Sequence, residues 1–108
     1  MYTLICPICK GDYLHHRDVT VFNRHEDSSL VYETEIGERT SVKCVKSDTS
    51  RNPSSRRDGI AISFICEECP SKLEMTIAQH KGQTHIEWKN ESKNLEVFAW
   101  KGSRAFIR

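Results

Sequence analysis

Apolar and polar residues alternate with a period of two along most of this chain, which is the pattern of half-buried β-strands. The clearest alternation runs through residues 59–66, which are rich in Ile and Phe. It continues through residues 73–77 and 86–88, with Gly82 marking a turn between them. These three segments predict consecutive antiparallel strands.

The first half of the chain contains shorter segments of the same kind. Residues 17–22 predict one strand, and residues 31–36 and 41–46 predict a hairpin around a turn that starts at Gly37. Residues 2–5 predict a short strand at the beginning of the chain. The fold predicted from this pattern is mostly β and built from small antiparallel hairpins.

Two segments depart from the alternation. Residues 47–59 are almost entirely polar and predict a loop. Residues 91–108 alternate less clearly, and we expect a final hairpin there, with a helix over 91–100 as the alternative. The sequence thus predicts one β domain over residues 1–90, with an insertion at about 24–58, followed by a basic and aromatic extension packed on the same domain.

Length and composition indicate that the hydrophobic core alone provides only marginal stability. A chain of 108 residues, of which 37% are hydrophobic, forms one domain and little more. A domain of this size buries only about 60–70% of its unfolded surface, so a disulfide or a metal commonly supplies the missing stability. The five cysteines are an odd number and no signal peptide is visible, so we expect a cytoplasmic protein with reduced thiols.

Four of the five cysteines form two pairs with the same spacing. Two residues separate Cys6 from Cys9, and two separate Cys66 from Cys69. This spacing lets one tight turn direct both sulfurs at a single ion, and two such turns complete a tetrahedral site for one structural Zn²⁺. Four thiolates leave no open position for catalysis. An iron–sulfur cluster and a redox-active dithiol are the alternatives.

With a strand predicted before each pair, this arrangement resembles the zinc ribbons, in which two such turns clamp antiparallel hairpins. The resemblance rests on Cys6, Pro7, Cys9, Cys66 and Cys69, covers about half of the chain, and implies a four-cysteine zinc-ribbon site. The 56 residues between the pairs exceed the roughly 15–20 that ribbons often have, and an inserted β-hairpin accounts for the difference. The layout is also similar to small phage and bacterial zinc-ribbon proteins, a resemblance that brings no activity with it.

Positive charge is concentrated in two segments, although the whole chain carries a net charge of only +1. Residues 43–58 and residues 89–108 each hold five basic and two acidic residues, so each segment is net +3. The alternative to a functional basic patch is that the loop pairs with residues 26–38, which hold five acidic residues and no Lys or Arg. Because guanidinium groups match phosphate oxygens, the candidates for nucleic-acid contact are Arg51, Arg56, Arg57, Lys101 and Arg104.

Other reactive or aromatic residues have simpler interpretations. Trp88 and Trp100 could stack on single-stranded bases, but we expect aromatic residues of strands to pack in the core. Cys44 is predicted to be a small buried apolar residue of a strand. The remaining metal-ligand candidates are predicted to be surface residues, namely His15, His16, His80 and His85.

No catalytic motif appears in the sequence, which lacks a P-loop, a nucleophile elbow and a zinc-protease helix motif. The sequence therefore predicts a non-catalytic zinc-binding module and no enzyme. The first functional hypothesis is nucleic-acid contact through the basic loop and tail. The second is a protein-interaction adaptor, for example a phage or plasmid factor that binds a host protein. No membrane partner is expected, because no apolar run approaches the length of a membrane span.

Overall fold

The strands predicted from the alternation form a single antiparallel sheet. A computed structural model describes residues 2–69, 71–90 and 95–97, the last three by their backbone alone. No helix occurs in these ranges. The sheet order is β3-β2-β1-β4-β5-β6-β7. The strands are β1 Leu14–Asn23, β2 Leu30–Ile36, β3 Ser41–Lys46, β4 Gly59–Cys66, β5 Lys72–His80, β6 Gln83–Asn90 and β7 Leu95–Val97.

Strands β4, β5 and β6 form the predicted meander. A two-residue turn joins β5 to β6, with His80 paired to Gln83 across it. Both turn residues have positive φ, 49° at Lys81 and 79° at Gly82. Positive φ at both positions is the requirement of the type I′ turn, whose twist matches that of the flanking strands.

The predicted hairpin of β2 and β3 is also present, and it belongs to the main sheet. β2 pairs on its other side with β1, from Val19↔Ile36 to Asn23↔Tyr32. β1 pairs in turn with β4, with one register irregularity between His16 and Val19. The strand predicted over residues 17–22 therefore extends further in both directions and connects the hairpin to the meander.

The prediction of a strand over residues 2–5 was wrong. Only Leu4 makes an isolated bridge, because the chain bends into the turn at Cys6 before a ladder can form. Ile5 is buried and Leu4 packs against the same group of side chains. The N-terminal segment therefore contributes to the core by side-chain packing and not by strand pairing.

Two groups of buried side chains lie on opposite sides of the sheet. The first, called here the cysteine-end core, consists of Ile5, Cys6, Cys66, Leu73 and Trp88. The second consists of Phe22, Val31 and Ala61. The polar loop lies against the second group, where the hydroxyl of Ser50 donates to Glu33 at 2.6 Å.

The end of the chain is described only in part. β7 pairs with β6 through Asn90↔Leu95 and Trp88↔Val97, so these three residues of the predicted extension belong to the same sheet. The rest of residues 91–108, with the predicted final hairpin and its helical alternative, lies outside the described residues. Within the described ranges, no helix has the length and apolar composition that a bilayer crossing requires.

Candidate metal centre

The first cysteine turn is held by a set of short backbone bonds. The N–H of Cys6 donates to the carbonyl of Gly11 at 2.7 Å, and the N–H of Lys10 donates to the carbonyl of Cys6 at 3.0 Å. Lys10 accordingly has a positive φ of 66°. The turn directs two N–H groups at sulfur, from Ile8 to Cys6 Sγ and from Gly11 to Cys9 Sγ, each at 3.4 Å.

The second turn begins where β4 ends. The N–H of Cys66 donates to the carbonyl of Ser71 at 3.2 Å, which repeats the closure between the corresponding positions of the first turn. Ser71 Oγ lies 3.2 Å from Cys69 Sγ. Equal spacing in the sequence has therefore produced two turns that close in the same way.

Contacts around the sulfurs tie the two turns together. The N–H of Glu67 donates to the carbonyl of Tyr13 at 3.1 Å. The side chain of Glu67 also meets His15, with 2.5 Å between Oε2 and Nε2. A Cβ at Gly11 would overlap the carboxylate of Glu68, so a larger residue there would require the Glu68 side chain to shift. The two glutamates within the second pair thus contact the first turn or the residues that follow it.

The four sulfur atoms converge on one point. They all lie within 4.8 Å of one another. Cys6 Sγ is 3.7 Å from Cys69 Sγ, and Cys9 Sγ is 3.5 Å from Cys66 Sγ. Four sulfurs at about 2.3 Å from a tetrahedral ion are about 3.8 Å apart, so this group has the size that a single metal ion requires. The predicted ligand set is therefore a four-cysteine group able to hold a metal ion.

The surroundings of the thiols differ. Burial raises the pKa of the Cys6 thiol to about 12. Burial alone would also raise the pKa of Cys69, but the Ser71 hydroxyl and the three neighbouring cysteines lower it to about 7. A bound divalent cation favours the thiolate form of every ligand, because its charge outweighs these local effects.

Neither a family model nor a curated protein nor a solved structure matches this chain. The interpretation of the site therefore rests on its own geometry. Cys6 and Cys66 are members of the cysteine-end core, and Cys69 packs against it. The site is consequently continuous with the apolar core, which is the expected position for a metal that stabilises a fold.

The predicted nucleic-acid residues of the loop are engaged with acidic side chains. Arg56 donates two bonds to Asp27, at 3.1 and 2.8 Å, and also meets Glu26 at 3.5 Å. Arg57 meets the other oxygen of Glu26 at 3.5 Å. The Arg56 bonds lower the pKa of Asp27 and raise that of Arg56 itself. The polar loop therefore pairs with the acidic segment, which the sequence analysis gave as the alternative to a functional basic patch.

Arg51 is the most exposed of the three loop arginines. Its side chain is 80% exposed and lies 3.3 Å from Glu74, the one ion-pair partner it has among the described residues. Lys43 of β3 lies 3.8 Å from Glu33 and 3.5 Å from Glu35. The remaining two nucleic-acid candidates, Lys101 and Arg104, lie outside the described residues.

The structure confirms the prediction for Trp88 and contradicts the prediction for Cys44. Trp88 has no exposed surface and packs edge-on against Phe64, with 5.3 Å between ring centroids, so it belongs to the core as expected. Cys44 is exposed, and the prediction that it is buried was wrong. The reason is that β3 lies at the edge of the sheet, where no further strand or layer in the described part of the chain covers it.

Sequence reasoning missed an apolar surface on the sheet. One row of paired positions crosses β3, β2, β1, β4, β5 and β6 and contains one threonine and five aliphatic residues. None of the six is buried, and Val42 and Ile86 are 67% and 41% exposed. In strand order the row is Val42, Thr34, Val21, Ile60, Ile77 and Ile86.

A second row runs parallel to the first on the same side of the sheet. It contains Ile36, Val19, Ile62 and Met75, again without a charged residue. Ile36 is 46% exposed, whereas Met75 packs partly against the cysteine-end core. We call the two rows together the open face. The alternation in the sequence could have revealed these positions, but it could not show that nothing in the described residues covers them.

Proposed function

We propose that the four-cysteine group holds one structural Zn²⁺. The support is the convergence of the four sulfurs within 4.8 Å, with two separations of 3.7 and 3.5 Å close to the edge of a zinc–sulfur tetrahedron, together with the N–H groups directed at Cys6 and Cys9. The four thiolates fill the coordination shell of the ion. Structural zinc contributes on the order of 10–16 kcal/mol of apparent binding free energy in small modules, against a net domain stability of about 5–15 kcal/mol.

Elemental analysis of the purified chain tests the identity of the metal. We expect one zinc per chain and no visible absorption. Iron with visible absorption would instead support an iron–sulfur or iron–thiolate site. A metal-free chain that forms a reversible disulfide would support the redox dithiol.

We further propose that the protein is a non-catalytic module that binds another protein through the open face. The observation that carries this proposal is a row of five aliphatic residues and one threonine that crosses six strands, contains no charge and has no fully buried member. The largest contiguous apolar patch on a protein surface is often a functional interaction site. The pairing of Arg56 and Arg57 with acidic residues reduces the support for a basic patch, so we rank protein binding first.

Nucleic-acid binding is the second candidate. It is favoured by Arg51, whose exposed guanidinium makes a single contact with Glu74 and is therefore accessible to phosphate. The tail residues Lys101 and Arg104 would add to it. Binding of this kind weakens with salt, with a slope of about −0.7 to −0.9 per phosphate contact.

Titration with single- and double-stranded DNA and with RNA tests the second candidate. Absence of binding to all three at about 50 mM salt would eliminate it. If binding occurs, Arg51→Ala should weaken it to a similar extent for every sequence, because phosphate contacts carry no sequence information.

Affinity capture after nuclease treatment tests the first candidate. We compare the wild type with Val42→Lys on the open face and with Ser41→Lys, which adds the same charge at the adjacent position on the opposite side of β3. The partner is then purified and its affinity for each variant is measured directly. Loss of affinity in Val42→Lys alone is the expected result, and equal affinity of the two variants would exclude the open face.

A further inference from the structure

We propose that the partner of the open face is a second copy of this chain, so that two sheets stack face to face across a twofold axis. The proposal rests on the protein-binding function above and names its partner. Four observations support it, namely the absence of charge, the exposure, the dimensions of the surface and its position beside the existing core.

The open face is chemically suited to a copy of itself. Its ten positions hold nine aliphatic or methionine side chains and one threonine, so it offers no charged group to a charged partner. A twofold axis places the same patch on both subunits, which requires a surface complementary to itself. Uncharged β-branched rows satisfy that requirement, because stacking them buries no unpaired ion.

The dimensions of the face permit sheet stacking. The first row crosses six strands and the second crosses four, so at a strand spacing of about 4.8 Å they span about 29 Å and about 19 Å, and each row covers about 6.5 Å along the strands. The area is therefore on the order of 300 Å² per copy, which is within the size range of the largest apolar patch on a typical monomer. Because a standard interface buries about 800 Å² per partner, we expect a reversible, concentration-dependent dimer.

The position of the face relative to the core also supports stacking. At the cysteine end, the N-terminal segment covers this side of the sheet, and Leu73 and Trp88 are fully buried there. Beyond Met75 the described positions of the open face are half-buried or exposed, and Ile86, Ile36 and Val42 are 41%, 46% and 67% exposed. A second sheet about 10 Å away would complete the core as the two layers of a β-sandwich do.

Sedimentation equilibrium or light scattering of the zinc-loaded full chain tests the proposal between about 1 and 200 μM, a range suited to interfaces of this size. We expect the mass to rise with concentration from the monomer value of 12.5 kDa towards twice that value. The double variant Val42→Lys with Ile86→Lys should be monomeric throughout. These positions lie at opposite ends of the first row, and both side chains are exposed in the monomer, so the added charges need not disturb its fold.

The control places the same charges on the opposite side of the sheet. Ser41→Lys with His85→Lys changes the residues directly before Val42 and Ile86 in the two strands, and both are exposed. Circular dichroism and zinc content should match the wild type for both double variants, and the control should retain the concentration dependence of the wild type.

Two results would overturn the inference. A wild-type chain that is monomeric at every concentration would mean that another protein or the undescribed C-terminal residues cover the open face. A dimer that persists in the Val42→Lys, Ile86→Lys variant would place self-association elsewhere, for example at the edge of β3. If the chain is monomeric but Val42→Lys still abolishes binding of a purified partner, the proposed function stands and only the identity of the partner is wrong.

Discussion

The sulfur atoms of the candidate site differ in their surroundings although the two pairs have the same spacing. Cys6 and Cys66 are buried within the cysteine-end core, whereas Cys9 is exposed. With the proposed ion bound, serine in place of Cys6 or Cys66 would remove a metal bond and also leave a polar hydroxyl among apolar side chains. Serine in place of Cys9 would remove only the metal bond, because Cys9 is exposed.

Cys66→Ser should abolish zinc binding and cooperative unfolding. The substitution removes a ligand at the end of β4 and buries an unsatisfied hydroxyl, which costs about 1–3 kcal/mol in addition to the loss of the ion. Zinc content and thermal melting by circular dichroism measure the effect. Cys44→Ser is the matched control, because Cys44 is exposed and a surface substitution usually changes stability by less than about 0.5 kcal/mol. A Cys66→Ser variant that melts like the wild type would contradict a structural metal.

The acidic partners of the loop arginines determine how much positive charge the loop presents to a ligand. Because the pKa of Asp27 in the folded protein is lowered by Arg56, the contribution of this pair to stability is present at neutral pH. It is lost as the pH falls through that lowered value. At neutral pH the ion pair with Asp27 therefore makes the charge of Arg56 less available to a bound anion.

Removing the acidic partners should increase affinity for nucleic acid. The variant Glu26→Gln with Asp27→Asn releases Arg56 and Arg57 without changing the shape of either side chain. We expect tighter binding to duplex DNA and a salt slope steeper by up to about 1.8, corresponding to two additional phosphate contacts. Glu87→Gln, an exposed position without a described ion pair, is the control for the change in net charge. An unchanged slope would show that the loop is not positioned to contact phosphate.

At the scale of elements, the hairpins differ in how their turns are specified. The β5–β6 turn depends on positive φ at Lys81 and Gly82, where glycine is the residue with no steric cost. Gly59 has a different role, since a Cβ there would overlap Asn52 and Pro53 of the polar loop. Thus one glycine permits a turn and the other permits the loop to lie against the sheet.

Two substitutions in the β5–β6 turn should change the stability of the protein in opposite directions. Gly82→Ala forces an alanine into the left-handed region and should destabilise the protein by about 1–2 kcal/mol. Lys81→Asn should stabilise it slightly, because Asn-Gly is the preferred sequence of the type I′ turn. Denaturant unfolding of the two variants against the wild type provides the measurement. Equal effects of the same sign would show that this turn does not limit the pairing of β5 with β6.

The strand order explains which residues are exposed at the edge. β3 is the edge strand, so Cys44 and Val42 project from the sheet without a neighbour on one side. Lys43 on the opposite face contacts two glutamates of β2. Lysine on an edge strand also discourages pairing with the edge of another sheet, which favours association through the open face instead.

For the whole molecule, the four-cysteine group connects segments that are distant in the chain. Cys6 and Cys9 belong to the N-terminal segment, and Cys66 ends β4, which lies between β1 and β5 in the sheet. Cys6 and Cys66 pack with Leu73 and Trp88 in the cysteine-end core. Loss of the ion should therefore disturb the centre of the sheet and not only the two turns.

Removal of the metal with a strong chelator should expose Trp88 and abolish cooperative unfolding. A Trp100→Phe background leaves Trp88 as the single tryptophan, and its emission should shift to longer wavelength when the ion is withdrawn. Addition of zinc should reverse the shift. An unchanged emission maximum and unchanged melting after complete metal removal would contradict the structural role of the ion.

The sequence by itself determined the local features. Alternation with a period of two predicted the meander and the β2–β3 hairpin, because the faces of a strand are set by successive residues. The spacing within Cys6-x-x-Cys9 and Cys66-x-x-Cys69 predicted the ligand set, because a two-residue separation is a property of one turn. Burial of Trp88 followed from its place in an alternating strand.

Only the tertiary structure decided how these local features are arranged. The position of β1 between β2 and β4 makes the hairpin part of the main sheet and leaves Cys44 at an edge. It also brings Arg56 to Asp27, and it leaves the row from Val42 to Ile86 exposed at both ends and half-buried between them. The physical reason is that exposure and charge pairing depend on contacts between residues far apart in the chain, which neighbouring residues in the sequence do not specify.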